Sequence, residues 1–374
     1  MPADHRAHRP EGAGAVRGVV RGAASGAHDP ALRHVLTHLL TPLLMCVGMG
    51  LAYLGAFAAP EPHQLPVAVV GSGPEAKVFA QTVKDNAGDA LDVRTLATRT
   101  DAVDQLRTRH LDGAYVLGDK PPELIVASAG SDTTVSAVEK IFTPVAAQQG
   151  EPLKVTDVAP PVGDDPTGQG LFFLLVALSI GSYASVAVLG GVGGALRMRT
   201  RALLVAAVSG VVALVGTAFA GPVFHLAHTN LWGLWGMAWV YSAGILLIGV
   251  GLHTFLKRWT TLAMMVLFVM LNFTSSGGIF RPELQNGFFG GLHTFWNGAG
   301  FVEGARSLLY FDHYGLGRYV WTLVAWLAVG AVVLAVAALA ERRKRPSLTA
   351  AAAPPVEEEE AAEEEEEEEE TVGV

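Results

Sequence analysis

Cysteine is almost missing from this 374-residue chain: Cys46 is the only one, and it lies inside an apolar run. A lone cysteine excludes an intrachain disulfide and leaves no basis for a Cys-based metal site. Charge is scarce too. Asp, Glu, Lys and Arg make up 16% of the residues, against about 25% in an average soluble domain. Hydrophobic residues reach 51% and the mean hydropathy is +0.37, which points to a membrane protein. The motifs of nucleotide and hydrolytic chemistry are absent as well. There is no G-x-x-x-x-G-K-[S/T] to cradle phosphates, no G-x-S-x-G and no H-E-x-x-H. The residues therefore assign no catalytic, cofactor-binding or metal-ligating position, and the chain is not expected to be an enzyme.

What charge there is has been segregated. The net charge of −9 misleads, because Glu357–Glu360 and Glu363–Glu370 supply twelve of the 35 acids. The rest of the chain is mildly basic. A like-charge block of that kind repels itself and is expected to stay disordered, as is the Gly-, Ala- and Arg-rich stretch 1–34. The glutamates either solvate the tail, fold back on the preceding RRKR, or meet a basic partner.

Six stretches are apolar and long enough to cross a bilayer as helices: 35–59, 171–195, 202–224, 232–252, 260–280 and 319–340. The first is too long for a signal-peptide core and is read as an uncleaved anchor. Basic residues set the direction. Arg17, Arg21 and Arg33 precede the first span, and Arg197, Arg199 and Arg201 follow the second. Lys257 and Arg258 separate the fourth from the fifth, and Arg342, Arg343, Lys344 and Arg345 follow the last. With six spans all these clusters share one side, which the positive-inside rule makes cytoplasmic. Both termini (1–34 and 342–374) are then inside a cell membrane and 60–169 is outside.

Residues 60–169 have soluble composition. LPVAVV, LDVRTLA, GAYVLG and ELIVASA read as strands, and PEAKVFAQTVKDNAG, TDAVDQLRTRHLDG and DTTVSAVEKIFTPVAAQ as helices. That alternation predicts an α/β domain with parallel pairings. The turn Gly71-Ser72-Gly73-Pro74-Glu75-Ala76 imitates a dinucleotide fingerprint, with Asp89 or Asp92 near the place of its acid. Helix capping explains it more simply, with Ser72 or Gly73 as cap, Pro74 in the first turn and Glu75 at the positive helix end. Asp101, Asp104 and Asp112 are expected to be solvated positions on a helix.

The spans carry no central Asp, Glu, Lys or Arg, which argues against a proton- or sodium-driven carrier and against an ion channel. An apolar interior suits apolar or amphipathic cargo. His225, His228, His253 and Asn272 are read as interfacial, since no cluster of metal donors is evident. Gly190-xxx-Gly194 permits tight helix packing, within the chain or in a dimer. The stretch 281–318 is too polar to span and too apolar for a free loop. Its aromatics Phe288, Phe289, Phe295, Trp296 and Phe301 alternate with Gly287, Gly290, Gly291, Gly298, Gly300 and Gly304. Two short re-entrant helices would satisfy its backbone, with Gly287, Gly290, Gly291, Trp296, Gly300 and Gly304 as a gate; an interfacial loop packed on the last span would serve equally.

One span, an outside α/β domain and then five spans: this arrangement resembles the membrane subunits of type 2 ABC exporters and is similar to their phage-infection-protein branch. Two stretches carry the likeness, DAVDQLRTRHLDGAYVLG and NFTSSGGIFRPELQNGFFGGLHTFWNGAGFVEGARSLLYFDHYG. The second follows the family pattern of a span ending in Ser-Gly-Gly, a Pro-Glu-Leu, a Gly-rich stretch, an aromatic end and a last span. The resemblance implies outward-facing re-entrant helices, a homo- or heterodimer in the lipid bilayer, and a separate ATPase, with no nucleic acid as partner. Arg197, Arg199, Arg201, Lys257 and Arg258 would meet that ATPase, unless they serve topology alone. The competing expectation is a non-transporting envelope protein whose outside domain binds a surface partner.

Overall fold

The computed structural model describes residues 30–118, 120–162 and 164–351, with side chains for residues 31–343 outside the two gaps. The expected disorder at 1–29 and in the glutamate tail lies outside the described residues. Two compact units divide the chain, one up to Ala52 and one from Tyr53 onward.

The first unit consists of helix α1, Pro30–Phe57, which also runs into the start of the second. Twenty-eight residues of helix reach about 42 Å at 1.5 Å each, enough to cross a hydrocarbon core of about 30 Å.

The second unit holds a sheet and a helical bundle. The sheet strands are β1 (Leu65–Val70), β2 (Leu91–Leu96), β3 (Gly113–Val116), β4 (Glu123–Val126) and β5 (Lys154–Asp157). Their order is β2-β1-β3-β4-β5. β1 pairs in parallel with β2 and β3, and β4 with β5, but β3 and β4 are antiparallel. The all-parallel expectation fails there for a plain reason: only residues 117–122 join β3 to β4, too few for a crossover helix. β5 is a fifth strand that the sequence pattern did not single out. Helices α2 (Pro74–Ala87), α3 (Arg99–Arg107) and α4 (Asp132–Gln148) cover both faces. Tyr115 of β3 is stacked between Phe79 of α2 and Phe142 of α4, at 5.3 and 5.2 Å between ring centres. On the opposite face Ala114, Val116 and Ile125 pack with Ala102 and Leu106 of α3. Alternate residues thus enter opposite cores, as period-two strands require.

The bundle contains α5 (Gly170–Gly191), α6 (Met198–Ala218), α7 (Leu231–Leu256), α8 (Thr260–Met265), α9 (Leu271–Thr274), α10 (Gly287–His293), α11 (Asn297–Tyr310) and α12 (Leu316–Ala351). Including α1, five helical runs are long and apolar enough to cross a membrane, which makes this a helical, multi-pass membrane protein with an α/β sheet region. One of the five, Leu231–Thr274, has 44 residues, about twice the length a single crossing needs. It is not straight. Lys257 has φ +48, and beyond it the chain returns along α7. A Cβ on Gly249 would lie 2.9 Å from Met264, and Tyr241 meets Asn272; both pairs are centred on the same turn. The returning leg stops being helical at Thr274, short of the expected 280, where Ser275–Gly278 follows and Gly277 takes φ +74.

Candidate functional site

Helix α3 owes its start to Thr98, whose side chain accepts from the Asp101 amide at 3.1 Å. It ends at Arg107, and two residues later Arg109 adopts φ +59, the left-handed conformation that helix ends usually give to glycine. For an arginine this costs on the order of 1 kcal/mol. The turn carries the guanidinium to the bundle, where it forms a close ion pair with Glu303 of α11. It also reaches the Ser307 hydroxyl at 3.4 Å and lies 5.1 Å from the centre of the Phe311 ring.

Glu303 is buried and serves two arginines. Besides Arg109 it accepts from Arg306, one helical turn on, at 2.8 Å. Arg306 also donates to the carbonyls of Gly277 at 2.8 Å and Gly278 at 3.3 Å. A second bridge lies alongside: Arg281 pairs closely with Asp112 and stands 3.5 Å from Glu283. Burial pushes the Asp112 carboxyl up to about 6, against the pull of Arg281. Thr133, at the start of α4, donates to the Ile279 carbonyl at 2.7 Å. The sheet domain is therefore clamped to residues 277–307 by buried charge. Desolvating such ions is tolerable only with close partners, and here each acid has one.

Next to the clamp lies a cavity of about 270 Å³, lined by Arg109, Arg281, Glu283, His293, Glu303 and Arg318 among others. The glycine- and aromatic-rich stretch above it forms two short helices, α10 and α11. Asn286 caps α10 by accepting from the amides of Phe288 and Phe289 at 3.2 and 3.3 Å. Every residue of α11 from Asn297 to Leu308 is buried. Of the gate candidates, Gly300 and Gly304 are packing positions: a Cβ would come 3.1 Å from Thr322 on the first and would overlap Met237 on the second. Trp296 is buried and donates to the Leu267 carbonyl at 3.3 Å. A Cβ on Gly290 would lie 3.5 Å from the Pro282 carbonyl oxygen, an ordinary contact, while Gly287 and Gly291 have open space.

Several sequence expectations need correction. Asp112 is neither helical nor solvated but buried in the clamp. Asn272 is not interfacial: it is fully buried and donates to the Tyr241 hydroxyl at 2.6 Å, which in turn meets Ser179. Gly190 packs against His253 inside the chain, whereas Gly194 faces open space. In the Gly71–Ala76 turn, Gly73 is the N-cap and Pro74 the first helical residue, and a Cβ on Gly71 would lie 2.9 Å from that of Ala76. Gly71 thus serves close packing and Gly73 the start of the helix, in line with the capping reading. No sequence reading singled out Arg109, Glu303 or Arg306 as a group. A Glu and an Arg three residues apart in an otherwise apolar, glycine-rich helix were the available signal.

At the far end of the bundle the basic residues gather. Arg201 is buried, donating to Glu341 at 3.0 Å and to the Gly193 carbonyl at 2.9 Å. Glu341 also accepts from Thr254 at 3.3 Å. Arg197, Arg199, Lys257, Arg258, Arg342 and Arg343 are exposed. A cleft of about 540 Å³ opens there, between Arg197, Arg199, Arg342 and an apolar wall of α12.

Compared with protein families, characterised proteins and solved structures, the chain gives no significant match.

Proposed function

We propose that this chain is the permease-like membrane subunit of an ABC exporter, moving apolar or amphipathic cargo outward with a separate ATPase. The observation that carries the proposal is the α10–α11 hairpin, seated in the bundle and bolted through Glu303 to the sheet domain. A hairpin whose second helix, α11, is buried and packed through Gly300 and Gly304 at one end of a helical bundle is a fitting closure for a path, and the clamp lets the sheet domain control it. In this reading α7 and the returning leg from Thr260 are two crossings, which gives six with α1, α5, α6 and α12. The clustering of exposed Arg and Lys at the end opposite the sheet domain supports cytoplasmic termini and an outside sheet domain. Arg197, Arg199, Lys257 and Arg258 are then the residues placed to meet the ATPase, and a second copy or a homologous subunit completes the assembly. The membrane is the cell membrane.

Co-expression with the ABC ATPases of the source genome, followed by purification through the full chain, tests this. Recovery of one ATPase, lost on Arg197→Gln/Arg199→Gln substitution, is the expected result. Retained cellular function in a strain lacking every candidate ATPase would instead favour an envelope protein that binds a surface partner.

A further inference from the structure

The cavity beside the clamp holds more guanidinium than its carboxylates neutralise. Glu303 is shared by Arg109 and Arg306, and Asp112 and Glu283 both turn to Arg281. Arg318, which lines the same cavity, is exposed and has no ion-pair partner among the described residues. Arg109 adds a second unmet demand: its side chain is only 9% exposed, yet its Nε has no acceptor. Tyr319 lines the cavity too and brings a phenol hydroxyl to it, whereas the hydroxyls of Thr294 and Thr322, also in the lining, donate to the Gly291 and Arg318 carbonyls. Surplus positive charge, a buried orphan donor and the Tyr319 hydroxyl make a receptor for an anion with several acceptor oxygens. The surroundings indicate what the anion is attached to. Phe295 and Trp321, the sequence neighbours of Thr294 and Thr322, are both exposed, and tryptophan favours the level of lipid headgroups.

We infer that the cavity binds the anionic headgroup, phosphate or carboxylate, of an amphiphile whose apolar chain runs along the aromatic rim. The inference rests on the export reading for its biological sense, since it names the cargo class, but binding itself needs no ATPase.

The test uses the full chain in a non-ionic detergent and a photoactivatable phosphatidylglycerol. Labelling is expected within residues 281–322, displaced by unlabelled phosphatidylglycerol but not by phosphatidylcholine. Losing one charge-assisted contact, Arg318→Gln should cut labelling there by roughly tenfold, while Arg318→Lys keeps most of it. Arg197→Gln/Arg199→Gln, at the opposite end, should leave it unchanged. Arg318 is exposed, so an unaltered melting temperature is expected for its variants. Undiminished labelling in Arg318→Gln, equal competition by phosphatidylcholine, or labelling only at the Arg197 end would overturn the inference. Displacement by inorganic phosphate as effective as by the lipid would overturn the amphiphile and leave a bare anion site. Specific labelling without any ATPase association would sink the export reading alone; ATPase association without labelling would sink this site alone.

Discussion

Arg109 and Glu303 stand 194 positions apart, yet they form a buried ion pair that fastens the sheet domain to helix α11. Glu303 is the one carboxylate paired with Arg109 among the described residues, while Glu303 itself also holds Arg306. Removing Glu303 leaves two buried guanidinium groups without their carboxylate, and stranding a buried charge generally costs about 3–5 kcal/mol. Glu303→Gln, which strands both Arg109 and Arg306, should lower the melting temperature of the full chain in detergent more than Asp101→Asn does. Equal melting of the two variants would mean that the clamp bears no load.

The returning leg of the 44-residue run can be tested through packing. Gly249 has no room for a side chain beside Val186 and Met264, whereas Gly191 has nothing nearby. Overpacking of that kind costs about 1–3 kcal/mol. Gly249→Val should therefore destabilise the protein in detergent, with Gly191→Ala close to neutral. The Tyr241–Asn272 bond spans the same hairpin; Tyr241→Phe should cost about 0.6 kcal/mol, the usual worth of such bonds between membrane helices.

Arg201 separates stability from partner binding. It is buried, and it joins the turn at Gly193 to Glu341 on α12. Arg201→Gln should lower thermal stability, while Arg197→Gln and Arg199→Gln should not. Measuring ATPase recovery for the three variants side by side distinguishes a lost contact from a loosened bundle.

Glu123 gives the sheet domain a pH dependence. A hydrogen bond from Arg99 is the largest favourable influence, with Thr156 and Lys154 adding to it, and together they draw the carboxyl from 4.5 down to about 2. An acid held low stabilises the fold fully above its ordinary value. That contribution is lost as the pH falls from about 4.5 towards 2. Because Arg99 is half exposed, solvent screening reduces the effect to roughly 1 kcal/mol. Amide exchange of β4 and β5 in the full chain should speed up in Glu123→Gln at pH 7, with the difference between the two proteins shrinking as the pH falls from about 4.5 towards 2. A difference that stays constant over that fall would show that the charge is irrelevant.

Much of the architecture could be read directly from residue order. LPVAVV is β1 and DTTVSAVEKIFTPVAAQ is α4, end to end, because alternation, capping and apolar periodicity are local properties. The apolar runs announced themselves by length, and the glycine–aromatic stretch, through its conflict between polarity and burial, allowed either two short helices or a packed loop. Lys257 marked the turn between α7 and the leg that returns beside it. Local pattern could not say which distant charges meet. Asp112 looked like a solvated acid until Arg281 was found against it, and Asn272 looked interfacial until Tyr241 closed over it. A buried ion is stable only beside its counter-ion, and that partner comes from a different part of the chain. Composition and periodicity therefore determined most elements of this protein, β5 excepted, and only tertiary packing decided where its buried charges could rest.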